Sequence, residues 1–142
     1  MRRVTWSLAV AALCITSGAG AQEYPIRPIR VLIPQSPGGA QDTAARLMTQ
    51  ALTERVGWRI VIDNRPGGNG FIGTSLAAKG APDGYTLLIA HTGEFAVNPA
   101  IFRNVPYDLE RDFTPVTMVS DGPMLVIANP KVPLTSVSMI LM

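Results

Sequence analysis

The sequence predicts an α/β domain built on a mainly parallel open sheet, and three observations carry that reading. Short apolar runs alternate with stretches of helical periodicity in the order strand, helix, strand, helix, strand. Connections that contain a helix demand right-handed crossovers and therefore parallel strands. Size is the third observation. Setting aside an N-terminal leader leaves 121 of the 142 residues, one domain able to bury roughly 65% of its unfolded surface.

The leader is residues 1–21. Arg2 and Arg3 precede a mostly apolar stretch, Val4 to Ile15, and Ala19-Gly20-Ala21 closes the segment with small residues. A positive start, a short apolar centre and a small-x-small exit form a secretory signal peptide, with cleavage after Ala21. The apolar centre falls short of the roughly 20 residues that span a bilayer. A buried N-terminal helix fits this layout less well. Leu13 precedes Cys14 where a lipoprotein signal needs a small residue, so lipid anchoring is not expected.

Removing the leader also removes the apparent basicity. The chain has 12 Lys and Arg against 10 Asp and Glu. Two of the cations are Arg2 and Arg3, so the remainder is neutral. No basic face is left for nucleic acid. At 47% hydrophobic and 15% charged, the chain is no disordered tail. Its one Cys excludes a disulfide scaffold and leaves with the leader.

Beyond an extended lead-in, Tyr24 to Pro28, the run Ile29 to Pro34 reads as a buried strand ended by proline. Ser36-Pro37-Gly38-Gly39 turns the chain. Ala44, Leu47, Met48, Ala51, Leu52 and Val56 then recur at helical spacing, with Gly57 as the terminating cap. Arg59 to Asp63 is the second strand. Arg65 to Gly70 is a second glycine-rich turn, and Phe71 to Lys79 the second helix, closed by Gly80 and Pro82. Tyr85 to Ala90 is the third strand. A helical turn is expected at Asn98 to Phe102, further strands at Thr114 to Ser120 and Met124 to Ala128, and a helix start at Thr135-Ser136.

Catalytic groups are scarce. The single His, His91, directly follows the third strand, where open α/β sheets bind ligands. It has no nucleophile in a G-x-S-x-G elbow and no surviving Cys, so hydrolysis is unsupported. A surface or locally bonded imidazole competes with the ligand-facing reading. One His without Cys does not make a transition-metal site, and no metal or cofactor is expected.

Gly68-x-Gly70-x-x-Gly73 matches a dinucleotide fingerprint, with Glu94 near the distance of a ribose-binding acid. Three features oppose it. The preceding strand ends near Asp63, four residues before the first glycine, whereas the fingerprint needs a tight turn. The motif lies in the second strand–helix unit, and export takes the protein away from the nicotinamide pool.

A different chemistry emerges when both glycine-rich turns are taken together. Each follows a strand and precedes a helix, so both lie on one rim of the sheet. Uncovered backbone N–H groups there sit at the positive end of a helix dipole and suit a carboxylate or phosphate. Gly38, Gly39 and Ala40 are expected to supply one set of donors, and Asn69 and Gly70 the other. Asp42 would repel an anion at contact distance, so its carboxylate is assigned to bracing the loop. Arg65 and Arg103 could clamp an anion, though solvated surface charges are the commoner reading. One glycine pair alone would be only a tight turn.

The residues also carry a resemblance. Tyr24-Pro25 with Pro28-Ile29-Arg30, Pro37-Gly38-Gly39-x-x-Asp42 with Ala45-Arg46, and Asn64-Arg65-Pro66-Gly67-x-x-Gly70-x-Ile72-Gly73 resemble the Bug family, the solute receptors of tripartite tricarboxylate transporters. Pro82 to Leu87, Tyr107-Asp108 with Arg111-Asp112-Phe113-x-Pro115-Val116, and Asn129-Pro130 with Pro133 and Ser136-Val137 continue the pattern. The resemblance implies a two-lobed, type II periplasmic-binding-protein-like fold that captures a small carboxylate and delivers it to membrane permease subunits. It implies a periplasmic location and a ligand held largely by backbone amides and waters around Ser36, Pro37, Gly38, Gly39, Ala40 and Asp42. Asn69, Gly70, His91 and Thr92 join as further cleft positions. Ala40 stands where relatives often carry Ser or Thr.

Three divisions follow: residues 1–21 as signal peptide, 22–120 as the first lobe, and 121–142 as a crossover toward a second lobe that is expected to be truncated. Half a cleft would weaken a micromolar site toward about millimolar. Two other readings stand beside the receptor. One is an exported enzyme using His91 at the same rim; the other is a receptor remnant without function, its exposed face prone to association.

Overall fold

The computed structural model describes residues 23–122, 125 and 127–132. Strand β1 (Ile29–Ile33) lies in the centre of a three-stranded sheet, between β2 (Ile60–Asn64) and β3 (Thr86–Leu88). Both pairings are parallel, with Val31 opposite Ile62 on one side and Leu87 on the other. A central parallel strand is covered on both faces and is therefore mostly apolar, Arg30 being the one half-buried exception. Ile29, Val31, Leu32 and Ile33 are accordingly at most 1% exposed.

Helix α1 (Ala40–Val56) connects β1 to β2, and α2 (Phe71–Ala78) connects β2 to β3. The first connection steps outward from the centre and the second steps back across it. Right-handed crossovers therefore place the two helices on opposite faces. Ala45 of α1 packs with Val31 and Ile33, and Ile60, Ile62, Leu87 and Ile89 close around them. On the other face Gly73 of α2 sits against Pro34 and the Arg65 carbonyl. Gly57 ends α1 in the left-handed region (φ 72°), its N–H bonded to Thr53 O at 3.0 Å. That is the conformation a terminating glycine supplies.

The two ends of the sheet are secured differently. At the amino end, the Tyr24 hydroxyl donates to Gly84 O (2.7 Å), and the Tyr24 ring packs on Trp58 and Tyr85. Across the β1–β2 pair, toward its carboxyl end, Arg30 pairs with Asp63, which also accepts from Arg65 Nε at 2.8 Å. Burial alone would raise the Asp63 carboxyl, but these two guanidinium contacts outweigh it and hold it below its usual range. At the carboxyl end, a π-helical turn (Gly93–Val97) runs into α3 (Asn98–Ile101), and α4 (Leu109–Asp112) follows. Phe71, Phe95, Phe102, Tyr107 and Phe113 meet there edge to face.

The expected strand at Thr114 to Ser120 is not formed: the whole segment is exposed and lies alone. Its Val, Thr and Met residues favour a pleated surface only when a neighbouring strand supplies hydrogen bonds and cover. No such neighbour lies beside it among the described residues. The strand expected at Met124 to Ala128 falls partly outside the described residues, and Leu125, Ile127 and Ala128 are exposed without pairing. The signal segment 1–21 and the helix start at Thr135-Ser136 lie outside them altogether.

Candidate functional site

The carboxyl ends of β1, β2 and β3 deliver three loops to one rim, and the β1–α1 loop is the one left open. Gly39 occupies the N-cap of α1 in extended conformation, and no side chain caps the helix. The first intrahelical bond runs from Thr43 N–H to Gly39 O at 2.9 Å. The N–H groups of Ala40, Gln41 and Asp42 therefore leave the helix end without a helical partner. A cavity of about 310 Å³ opens beside them, lined by Gln35, Ser36, Pro37, Gly39, Ala40, Gln41 and His91. A larger groove of about 620 Å³ lies between α1 and the outer edge of β2.

Behind the loop stands Asp42, 3% exposed. One of its oxygens accepts from Gly38 N–H and Arg46 Nε, both at 2.9 Å, and the other from Asn64 Nδ2 at 3.1 Å. Asn64 also donates to Gln35 O at 3.2 Å, tying the end of β2 to the loop. The Arg46 contact first, then the Gly38 and Asn64 hydrogen bonds, outweigh burial and lower the Asp42 carboxyl from 3.8 to about 2. A group depressed on folding stabilises the native state above its ordinary value. That contribution is lost as pH falls from about 4 to about 2. The Gly38 amide is expected to lose its exchange protection over this window, and Asp42→Asn to remove that pH dependence. Protection unchanged down to pH 2 would contradict it.

The third loop is held by a buried acid. Glu94 is 1% exposed and accepts from Gln35 Nε2 (3.0 Å) and from His91 N–H (3.0 Å). His91 Nδ1 lies 2.6 Å from the same carboxylate, and its Nε2 faces Gln35 Nε2 at 3.3 Å. Nδ1 also accepts from Gly93 N–H at 2.9 Å, so each ring nitrogen has a protein atom within hydrogen-bonding distance. The Tyr107 hydroxyl donates to Glu94 O at 2.6 Å, and Asn98 Nδ2 to Asn69 O at 2.8 Å.

Ser36, Pro37, Gly39, Ala40 and His91 thus surround the cavity, as a rim site requires. Other expected members stand elsewhere. Gly38 (φ 84°) spends its amide on Asp42, so it is not an open donor. Asp42 itself faces the protein. The second glycine turn also departs from the expected receptacle. Gly70 N–H bonds to Gly67 O at 3.0 Å, Phe71 N–H to Gly68 O, and Gly70 is buried against Glu94. Those amides are consumed in a 3₁₀ turn (Gly68–Gly70) that packs the rim from within. Neither Asn69, Gly70 nor Thr92 lines the cavity. The fingerprint reading is opposed as well: Gly70, its central glycine, is closed in the turn and Glu94 is buried.

Gln35 and Gln41 line the cavity and were not singled out by sequence. Both flank Pro37-Gly38-Gly39 within two or three residues, a position that would have pointed to them. Among the described residues no cluster of three His, Cys, Asp or Glu could hold a metal.

Residues 44–141 match the model of a family described as the tripartite tricarboxylate transporter family receptor. Protein BugT of Bordetella pertussis is 39% identical over 128 residues, which cover 89% of this chain and 39% of BugT. A Rhodopseudomonas palustris protein solved with adipate superposes with a TM-score of 0.65 at 36% identity, over 84% of this chain and 40% of that one. MatC from the same organism, solved with bound malate, gives 0.62 at 38% identity, over 66% of this chain and 32% of its own. The chain spans about two fifths of the length of the curated relatives it matches.

Proposed function

Because this chain belongs to the tripartite tricarboxylate transporter family of receptors, we propose that it captures a small carboxylate outside the cytoplasm for a membrane permease. The observation that carries this reading is the uncapped N-terminus of α1, whose first residues Ala40 and Gln41 line the cavity beside His91. The amides of an uncapped helix end complement an anion without a cation. Adipate and malate, bound by two relatives, are both carboxylates. The family is one of receptors, and both nitrogens of His91 have protein partners, so binding without turnover is the activity assigned.

The signal-like leader 1–21 supports export to the periplasm and removal after Ala21. Residues 22–120 serve as the binding lobe and 121–142 as the crossover. The cavity wall offers only a few donors, so affinity near millimolar is expected, about −4 kcal/mol.

Titrating the chain with succinate, propionate and adipate tests this, followed through the NMR shifts of the Ala40, Gln41 and Asp42 amides. Saturable shifts at those amides, with the solute recovered unchanged, are expected. A folded chain whose amides respond to none of these acids, or respond equally to the neutral amides of the same acids, would overturn the proposal.

A further inference from the structure

We infer that two copies of this chain join edge to edge through β2. Arg59 to Asp63 of one copy pair antiparallel with the same residues of the other, about a two-fold axis at Val61. This contact is independent of the carboxylate reading.

Strand β2 is an edge of the sheet, and among the described residues no strand lies on its outer side. Its inner side bonds through the odd-numbered residues: Arg59 O accepts from Ile29 N–H at 2.9 Å, and Arg65 N–H donates to Ile33 O at 2.8 Å. Backbone groups alternate sides along a strand, so those of Ile60 and Ile62 point outward. Edge strands are commonly blunted by Lys, Pro, a bulge or a cover. Ile60–Asn64 holds no Lys or Pro and pairs with β1 without a bulge. Val61 is 49% exposed, and a groove of about 620 Å³ runs along the strand beside α1.

Arg59-Ile60-Val61-Ile62-Asp63 is its own antiparallel complement. With Val61 opposite Val61, Ile60 stands opposite Ile62 and Arg59 opposite Asp63. The outward-facing Ile60 and Ile62 then exchange both backbone hydrogen bonds. Val61 falls at a non-hydrogen-bonded position, where side chains approach most closely. Asp63 already holds Arg30 and Arg65, so the apolar centre supplies the attraction and the charges select the register. Moving the axis to Ile62 would set Arg59 against Arg65, like charges that oppose that alternative.

Helix α1 agrees with the same axis. Asp42 is tied to Asn64 at the top of the strand. Gln50, eight residues along the helix, lies about 12 Å below that contact. Val61, three residues back along β2, lies about 10 Å below it, so Gln50 is level with the axis. Arg46 above it therefore meets Glu54 of the second copy, and Glu54 meets the second copy's Arg46. Arg46, Gln50 and Glu54 all line the groove, and opposite charges favour this match. The cavities at the ends of the two α1 helices lie at opposite ends of the joined sheet, so both stay open.

Sedimentation equilibrium of the chain is expected to show a monomer–dimer equilibrium whose mass stops at two copies. Cys14 is the sole cysteine. Val61→Cys in a Cys14→Ser background should cross-link on mild oxidation, because position 61 meets its own copy. Ile72→Cys in the same background, exposed on α2, should not. Val61→Lys sets like charges face to face and should raise the dissociation constant at least about tenfold, with an unchanged circular dichroism spectrum. A chain that stays monomeric at millimolar concentration, equal cross-linking at positions 61 and 72, or a dimer undiminished in Val61→Lys would overturn the inference. Growth past two copies would assign association to the exposed Val116, Met118 and Leu125 and overturn it too.

Discussion

Gly73→Val is expected to destabilise the chain by about 3 kcal/mol and to lower its Tm by roughly 15 °C. Any Cβ at this position would lie 2.8 Å from Arg65 O, 2.8 Å from Pro34 Cα and 3.0 Å from Pro34 Cβ. Both obstacles include backbone, so no side-chain rotation relieves the clash. Two opposing terms act when alanine is introduced. Helix propensity gains about 1 kcal/mol, and overpacking costs about 1–3 kcal/mol. Valine adds two methyl groups to the clash and forfeits part of the propensity gain, so overpacking wins clearly. Pro34 leads into the Gln35–Gly39 loop and Arg65 into the second turn, so the displaced helix would also disturb the rim. Thermal unfolding followed by circular dichroism measures the effect. Gly39→Ala is the matched control, because its Cβ meets only Ser36 O, at an ordinary 3.5 Å. A Tm unchanged in Gly73→Val would show that the helix and sheet are not packed as described.

Gly39→Asp is expected to move stability and binding in opposite directions. Gly39 already has the extended conformation of an N-cap (φ −75°, ψ 173°), so aspartate fits there without strain. Its carboxylate would accept from the Gln41 or Asp42 amide and complement the helix dipole. That gain over glycine is a few tenths of a kcal/mol. The same carboxylate occupies the place proposed for the solute and repels a second anion, so binding should fall at least about tenfold. Parallel Tm and NMR titrations separate the two effects. Unaltered carboxylate affinity in the stable variant would move the binding site away from the end of α1.

The open loop was legible because its signals are local. Pro37-Gly38-Gly39 between an apolar run and a helical pattern specifies a turn at a helix N-terminus. The role of Asp42 was also readable, since a carboxylate in the first helical turn faces its own loop. The second glycine turn looked equivalent and is not. Whether an amide is open depends on what accepts from it, and Gly67 O and Gly68 O lie within hydrogen-bonding reach only because the 3₁₀ turn forms. Gln41 carried no signal of its own, because a polar residue early in a helix is ordinary until the fold places it on a cavity wall.

Sequence by itself determined the parallel α/β order, the crossovers, the cap at Gly57 and the family. These follow from periodicities and motifs that adjacent residues carry. Only tertiary structure decided which face of the rim stays open, that Glu94 joins Gln35 to His91, and that Gly73 touches Pro34. It also decided that Thr114 to Ser120 lies unpaired despite its strand-like composition. The physical reason is common to all of these. Burial and hydrogen-bond partners are properties of pairs distant in sequence, and a strand exists only where another strand lies beside it.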